Sequence, residues 1–290
     1  MTIRTTETKD GLTLHGMLHE AEHPRTDLVV DSMLFVHGSN GNFYSSAGVT
    51  RAAHFSTLGI PVGVFNTRGH DTIAGAGQSG GHKVGNAHEH LSDTHMDIEA
   101  MVNFMANQGF KRIGLLGASL GTVRVIMAQA KNQDPRVGAV MAVGPLRFSA
   151  KYYAQSAMAD LHTKHYQQAK ALVDAGLGHT LIQTEFPNPG GVFTAEVHLD
   201  RHCMEHYDIT ADHSDKITCP LLVLTGTEEK HPRMLDAGKD SLFVFNQNGI
   251  EGVAPPPGSG STRPVRASFG GSGAGPLQFS NPQGVAYYEE

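Results

Sequence analysis

The stretch GLLGASLGT (residues 114–122) sets a serine between two glycines, directly behind an apolar run and leading into the helically periodic TVRVIMAQAK (122–131). Gly117-Ala118-Ser119-Leu120-Gly121 fits G-x-S-x-G at a strand-to-helix turn, where the backbone is strained and flanking glycines avoid clashes. A serine so placed is lifted above the sheet at the start of a helix. Its alcohol is a weak nucleophile until a base takes the proton. The same letters also arise by chance in a chain with 34 glycines, and a helix-capping serine would satisfy them equally. The strand before the motif and the helix after it favour the nucleophile.

Outward from this turn, short apolar runs bounded by turn residues recur: SMLFVHG (32–38), IPVGVFN (60–66), RIGLLGA (112–118), VGAVMAVG (137–144) and PLLVLTG (220–226). Helical patterns lie between them, which predicts an α/β fold with a mostly parallel central sheet flanked by helices. One such helix is DIEAMVNFMANQGF (97–110), with Ile98, Met101, Val102 and Met105 on one face and Gly109 near its end. The opening residues alternate about Asp10-Gly11 and predict an antiparallel edge hairpin. Between Pro145 and Asp215 the strand rhythm stops, and the polar segment 151–179 reads as helical. An insertion of this kind can roof the crevice at the strand carboxyl ends. The expected division is a core over 1–145 and 216–253, a helical cap over 146–215, and an irregular Pro/Gly-rich tail over 254–290. Within the cap, Tyr152, Tyr153, Phe186 and Phe193 are read as lid core rather than substrate contacts.

Net charge of −6 with scattered Lys and Arg argues against nucleic acid or an anionic membrane as partner. No apolar run reaches the ~18 residues of a membrane span, and the start lacks the apolar segment of a secretion signal, so a soluble cytoplasmic protein is expected. Cys203 and Cys219 are expected as reduced thiols, Cys219 as a small buried hydrophobe. Of the 18 histidines, His82, His88, His90 and His95 crowd into a Gly-rich stretch, and His202, His206 and His213 follow further on. A loop of that composition offers no fixed ligand geometry, so solvated or cleft-edge histidines are expected, and no metal. Nucleotide binding is disfavoured: no Lys follows the last glycine of GLLGASLGT, and no G-x-G-x-x-G follows the first strand.

Two further segments matter. FVHGSNGNFY (35–44) opens a loop of small residues whose backbone N–H groups can point at a developing oxyanion, each donor worth about 3–4 kcal/mol of barrier. The N–H groups of Ser39 and Leu120 would form the pair. FNTRGHD (65–71) is a strand end running into a charged turn.

HGSNGNF, NTRGHD and GASLGT, in that order, followed by PLLVLTGTEEKHP (220–232), resemble the α/β-hydrolase superfamily across residues 10–240. The resemblance implies Ser119 as nucleophile, Ser39 and Leu120 as the oxyanion hole, and Glu229 or Glu228 as the acid that orients a histidine. It implies acyl transfer on a small-molecule ester or related acyl substrate, with no metal or organic cofactor. One departure is plain: the family's base follows the last strand, yet the comparable segment 243–258 contains no histidine, and none occurs after His231. Three expectations follow. A substitute base could come from His231, His37 or His70, or from the cap residues His202 and His206. The fold could bind a small ligand without turnover. The abrupt change of composition from residue 254 could also reflect a replaced C-terminal segment, as a shifted reading frame produces.

Overall fold

The computed structural model describes residues 3–75, 83–187, 189–209, 213–226 and 283–285. His82, Glu228, Glu229, His231 and most of the tail expected over 254–290 lie outside the described residues.

The run Ser32–Val36 (β3) is buried at every position, as a strand covered on both faces must be. Its alternate side chains part cleanly. Leu34 and Val36 enter one core with Ile98, Met101 and Met105 of helix α2 (Thr94–Asn107) and Val123 of α3 (Leu120–Asn132). Met33 and Phe35 enter a second core with Ala52 of α1 (Ser46–Thr57) on the other face. The period of two in the strand thus meets helices on both sides of one sheet.

Among the described residues eight strands form that sheet, in the order β1-β2-β4-β3-β5-β6-β9-β10. The hairpin of β1 (Ile3–Glu7) and β2 (Thr13–His19) pairs antiparallel about Gly11, whose φ of 82° suits a residue without Cβ. β4 (Val62–Phe65), β3, β5 (Ile113–Ala118), β6 (Val137–Val143) and β9 (Leu221–Gly226) are mutually parallel. The carboxyl ends of these five strands therefore share one edge, and β5 in the centre carries Ser119 to it. Gln283–Val285 (β10) pairs antiparallel with β9, so three residues of the expected irregular tail are a strand.

The insertion between β6 and β9 holds α4 (Ala150–Ala154), α5 (Ala159–Asp174) and α6 (Ala195–His202), as the helical reading expects. It also contains a hairpin that the reading misses, β7 (Leu181–Thr184) with β8 (Gly191–Thr194). Pro187 and Pro189 cannot donate within a helix, and Gly190 takes φ 81°, so the chain turns back there instead. Thr194 then caps α6 by accepting the Val197 N–H at 3.3 Å.

The motif glycines are demanded by backbone contact. A Cβ on Gly117 would lie 2.3 Å from the Gly121 carbonyl oxygen, and one on Gly121 would lie 2.2 Å from that of Val36. Neither neighbour is a flexible side chain. Gly121→Ala is expected to destabilise the fold by about 3 kcal/mol, the upper range for overpacking, measured by chemical denaturation. A loss below about 0.5 kcal/mol would contradict this contact.

Candidate active site

Ser119 sits between β5 and α3 with φ 54° and ψ −121°, a conformation that costs a non-glycine residue about 1–3 kcal/mol. The surroundings hold it there. Its N–H donates to the Val143 carbonyl at 2.9 Å, and its own carbonyl accepts from Thr122 through N–H at 2.9 Å and Oγ1 at 2.6 Å. The side chain is half-buried, and among the described residues nothing hydrogen-bonds its Oγ. Leu120 opens α3, so its N–H has no acceptor within the helix by position.

The loop after β3 closes against this elbow. A Cβ on Gly38 would lie 3.0 Å from both the Ser119 Cβ and the Ala118 carbonyl oxygen, so the approach depends on glycine. The Gly38 carbonyl collects three donors: the His37 Nδ1–H at 2.9 Å, the Gly41 N–H at 3.2 Å and the Arg124 Nη1 at 3.4 Å. His37 also accepts the Thr67 N–H at Nε2, at 3.1 Å. Donor at one nitrogen and acceptor at the other, the ring is fixed as the neutral Nδ1–H tautomer. Burial, reinforced by the Arg124 charge, pushes its pKa down to about 3. His37, expected as one substitute base, thus has one nitrogen committed to its own loop and the other to Thr67.

Beneath the loop lies a buried charge network. Glu89 grips Arg124 in two parallel bonds, Nε to Oε1 at 2.8 Å and Nη2 to Oε2 at 2.7 Å, while Arg124 Nη1 donates to the His37 carbonyl at 2.7 Å. Arg201 of α6 reaches the same carboxylate, Nη2 to Oε2 at 3.1 Å, and gives Nη1 to Asn86 Oδ1 at 2.7 Å. Burial alone would raise the Glu89 pKa, but Arg124 and Arg201 outweigh it and hold the carboxyl below its ordinary range. Burial lowers Arg201 to about 10 against the pull of Glu89, which leaves it charged at neutral pH.

NTRGHD builds scaffold at the neighbouring strand end. Arg68 bonds Asp97 through Nε at 3.0 Å and Nη2 at 2.8 Å, and Asp10 through Nη1 at 3.1 Å, tying the hairpin to α2. Burial of Asp97 raises its carboxyl to about 6 despite Arg68. His70, the second described candidate for base, pairs through Nδ1 with Asp71 Oδ2 at 2.7 Å. Asp71 also accepts from Asn42 Nδ2 at 2.7 Å and from the Tyr44 hydroxyl, whose pKa this bond lifts to about 12. His70 faces a cavity of about 440 Å³ beside Phe43, Tyr44 and Leu14, whose lining does not include Ser119.

A second cavity, of about 140 Å³, lies between the loop and the insertion, lined by Ser39, Asn40, Asn86, Phe193, Arg201 and His202 among others. Of the four aromatics read as lid core, Tyr153, Phe186 and Phe193 are buried and Tyr152 is half-buried; Phe193 also reaches this cavity. His202 stacks on Phe148 with ring centroids 5.5 Å apart, while His206 pairs with Asp200 on the exposed side. Among the described residues no group of three or more His, Cys, Asp or Glu converges as metal ligands. Cys203 and Cys219 are half-buried, and burial lifts the Cys203 thiol to about 12.

Arg124, Glu89, Arg201 and Asn86 escape the sequence reading. The signal for Arg124 is present: it interrupts a helix whose residues 120–126 are all buried, where a lone charge must have a partner. Nothing in the letters says that Glu89 is that partner.

No protein-family model and no curated protein sequence matches the chain. Solved structures do. The α/β hydrolase GrgF from Penicillium sp. sh18 superposes with a TM-score of 0.58 at 18% identity, over 81% of this chain and 83% of that one. DcsB, in complex with its substrate analogue, gives 0.57 at 13% identity over 81% and 83%. The mouse α/β hydrolase domain-containing protein 10 gives 0.52 at 15% identity over 80% of each chain. Among the described residues no helix is long and apolar enough to cross a membrane.

One histidine of the insertion, His198, sets a pH dependence. His198 packs among Phe186, Phe193, His165 and His202, neither ring nitrogen has a hydrogen-bond partner among the described residues, and burial lowers its pKa from 6.5 to about 3. The unfolded chain therefore binds the extra proton first. Stability falls as pH drops from 6.5 toward 3, by on the order of 1.4 kcal/mol per pH unit for such a ring. His198→Phe is expected to flatten the slope of unfolding free energy between pH 6.5 and 4.5 by one proton; an unchanged slope would contradict the buried neutral ring.

Proposed function

We propose that this chain, which has the α/β-hydrolase fold, is a serine hydrolase acting on a carboxylic ester or related acyl compound through a Ser119 acyl-enzyme. The observation that carries the reading is the strained Ser119 turn held under the Gly38 peptide, with φ 54° at the serine. Strain of this kind persists only where the surroundings impose it. Ser119 Oγ would bond to the substrate carbonyl carbon and pass its proton to a base. The ester C–O bond then breaks, the alcohol leaves with that proton, and water repeats the steps to release the acid. The N–H groups of Ser39 and Leu120 would receive the oxyanion. The 140 Å³ cavity that begins at Ser39 would take a small acyl or alcohol group.

We assign the base to His231, with Glu228 or Glu229 orienting it. Two observations support this. His37 is spent on its own loop and on Thr67, and His70 faces a cavity whose lining does not include Ser119. β9 runs parallel to β6 and β5, so the chain leaves Gly226 at the same sheet edge as Ser119. A second reading, a ligand-binding protein without turnover, is favoured by the Ser119 Oγ having no hydrogen-bonded base among the described residues. It too would leave the fold and cavity intact.

Intact-mass labelling with a fluorophosphonate separates the two. Hydrolysis predicts stoichiometric addition to the wild type, none to Ser119→Ala, and a labelling rate reduced about a hundredfold or more in His231→Ala but not in His70→Ala. No addition to the folded wild type, with thermal stabilisation by small esters retained, would establish the binding reading instead.

A further inference from the structure

The peptide that carries the Ser39 N–H is oriented from below. In a trans peptide the carbonyl and the N–H point in opposite directions, so whatever fixes the Gly38 carbonyl also aims the Ser39 N–H. That carbonyl takes the Arg124 Nη1 at 3.4 Å beside the His37 and Gly41 donors, and the same Nη1 holds the preceding carbonyl, of His37, at 2.7 Å. Arg124 has no freedom to choose another partner: Glu89 occupies its Nε and Nη2, leaving the Nη1 side for the loop. Glu89 is in turn held from the insertion, where Arg201 Nη2 bonds both its Oε2 at 3.1 Å and its backbone carbonyl at 2.8 Å.

We propose that Arg124 is a positioning residue for the oxyanion loop, and that Arg201 of the insertion governs that loop at a distance through Glu89. The inference rests on Ser119 acyl transfer for its catalytic consequence, though the mechanical part stands without it. Among the described residues Arg201 makes no hydrogen bond to residues 37–40, yet it lines the 140 Å³ cavity together with Ser39 and Asn40. A ligand seated there meets both ends of the relay, so its fit against the insertion bears on how the Ser39 N–H is aimed.

The test uses the full chain with Arg124→Lys, Arg201→Met and, as a charge-balanced variant that leaves Arg124 in place, Glu89→Gln combined with Arg201→Met. Two readouts are taken: turnover of p-nitrophenyl acetate, resolved into kcat and KM, and backbone hydrogen exchange at residues 37–42 by mass spectrometry. Ser119→Ala serves as the control that removes chemistry without touching the relay. Exchange in the 37–42 segment should rise about tenfold in Arg124→Lys and in Arg201→Met, and stay at the wild-type rate in Ser119→Ala. In Arg124→Lys, kcat should fall about a hundredfold, the scale of one lost oxyanion donor, with KM changed less than threefold. If either single variant does not fold, the balanced double variant carries the same expectation for exchange. Folded variants with wild-type exchange in 37–42 would overturn the proposal. A wild type that neither turns over nor labels would overturn the hydrolase reading, and the exchange data would still decide the relay.

Discussion

The charge pair of Glu89 and Arg124 lies under everything else at this sheet edge. Both side chains are fully buried, and an ion pair in that setting is not a cheap source of stability, because two charges leave water for one another. Removing either partner costs about 3–5 kcal/mol, whereas replacing both by apolar groups is often neutral. What the pair supplies is geometry. The planar fork of the guanidinium meets the carboxylate in two bonds, and the one remaining nitrogen is thereby aimed at the carbonyls of His37 and Gly38.

Strain at Ser119 and close approach at the glycines are the complement of that fixed loop. A serine at φ 54° tends to relax, and Gly117, Gly121 and Gly38 admit the backbone contacts that prevent it. α3 begins at the strained residue and carries Arg124 on its buried face. One helix thus holds both the elbow and the group that positions the loop opposite. His37 completes the arrangement as a neutral ring bridging the loop to Thr67, which gives NTRGHD a part in shaping the site although Arg68 itself serves the core.

Much of this was legible in the letters. The five parallel strands lie within the apolar runs that announce them, and Ile98, Met101, Val102 and Met105 are buried on the predicted face of α2. Local rules suffice there, since strand and helix periods are properties of short segments. The β7–β8 hairpin was hidden because the helical pattern around it is strong and its turn is read only from Pro187, Pro189 and Gly190 together. The Glu89 network was hidden for a different reason. Its members come from residues 86, 89, 124 and 201, and no spacing rule links positions so far apart. His37 and His70 looked alike as candidates, and only their hydrogen-bond partners separate them.

The most direct test of the account is a crystal structure of the chain after reaction with a dialkyl phosphonofluoridate. The expected result is a bond from Ser119 Oγ to phosphorus, with the phosphonyl oxygen about 2.7–3.1 Å from the N–H groups of both Ser39 and Leu120. An adduct whose oxygen faces solvent, or a Gly38 carbonyl turned away from Arg124, would contradict it.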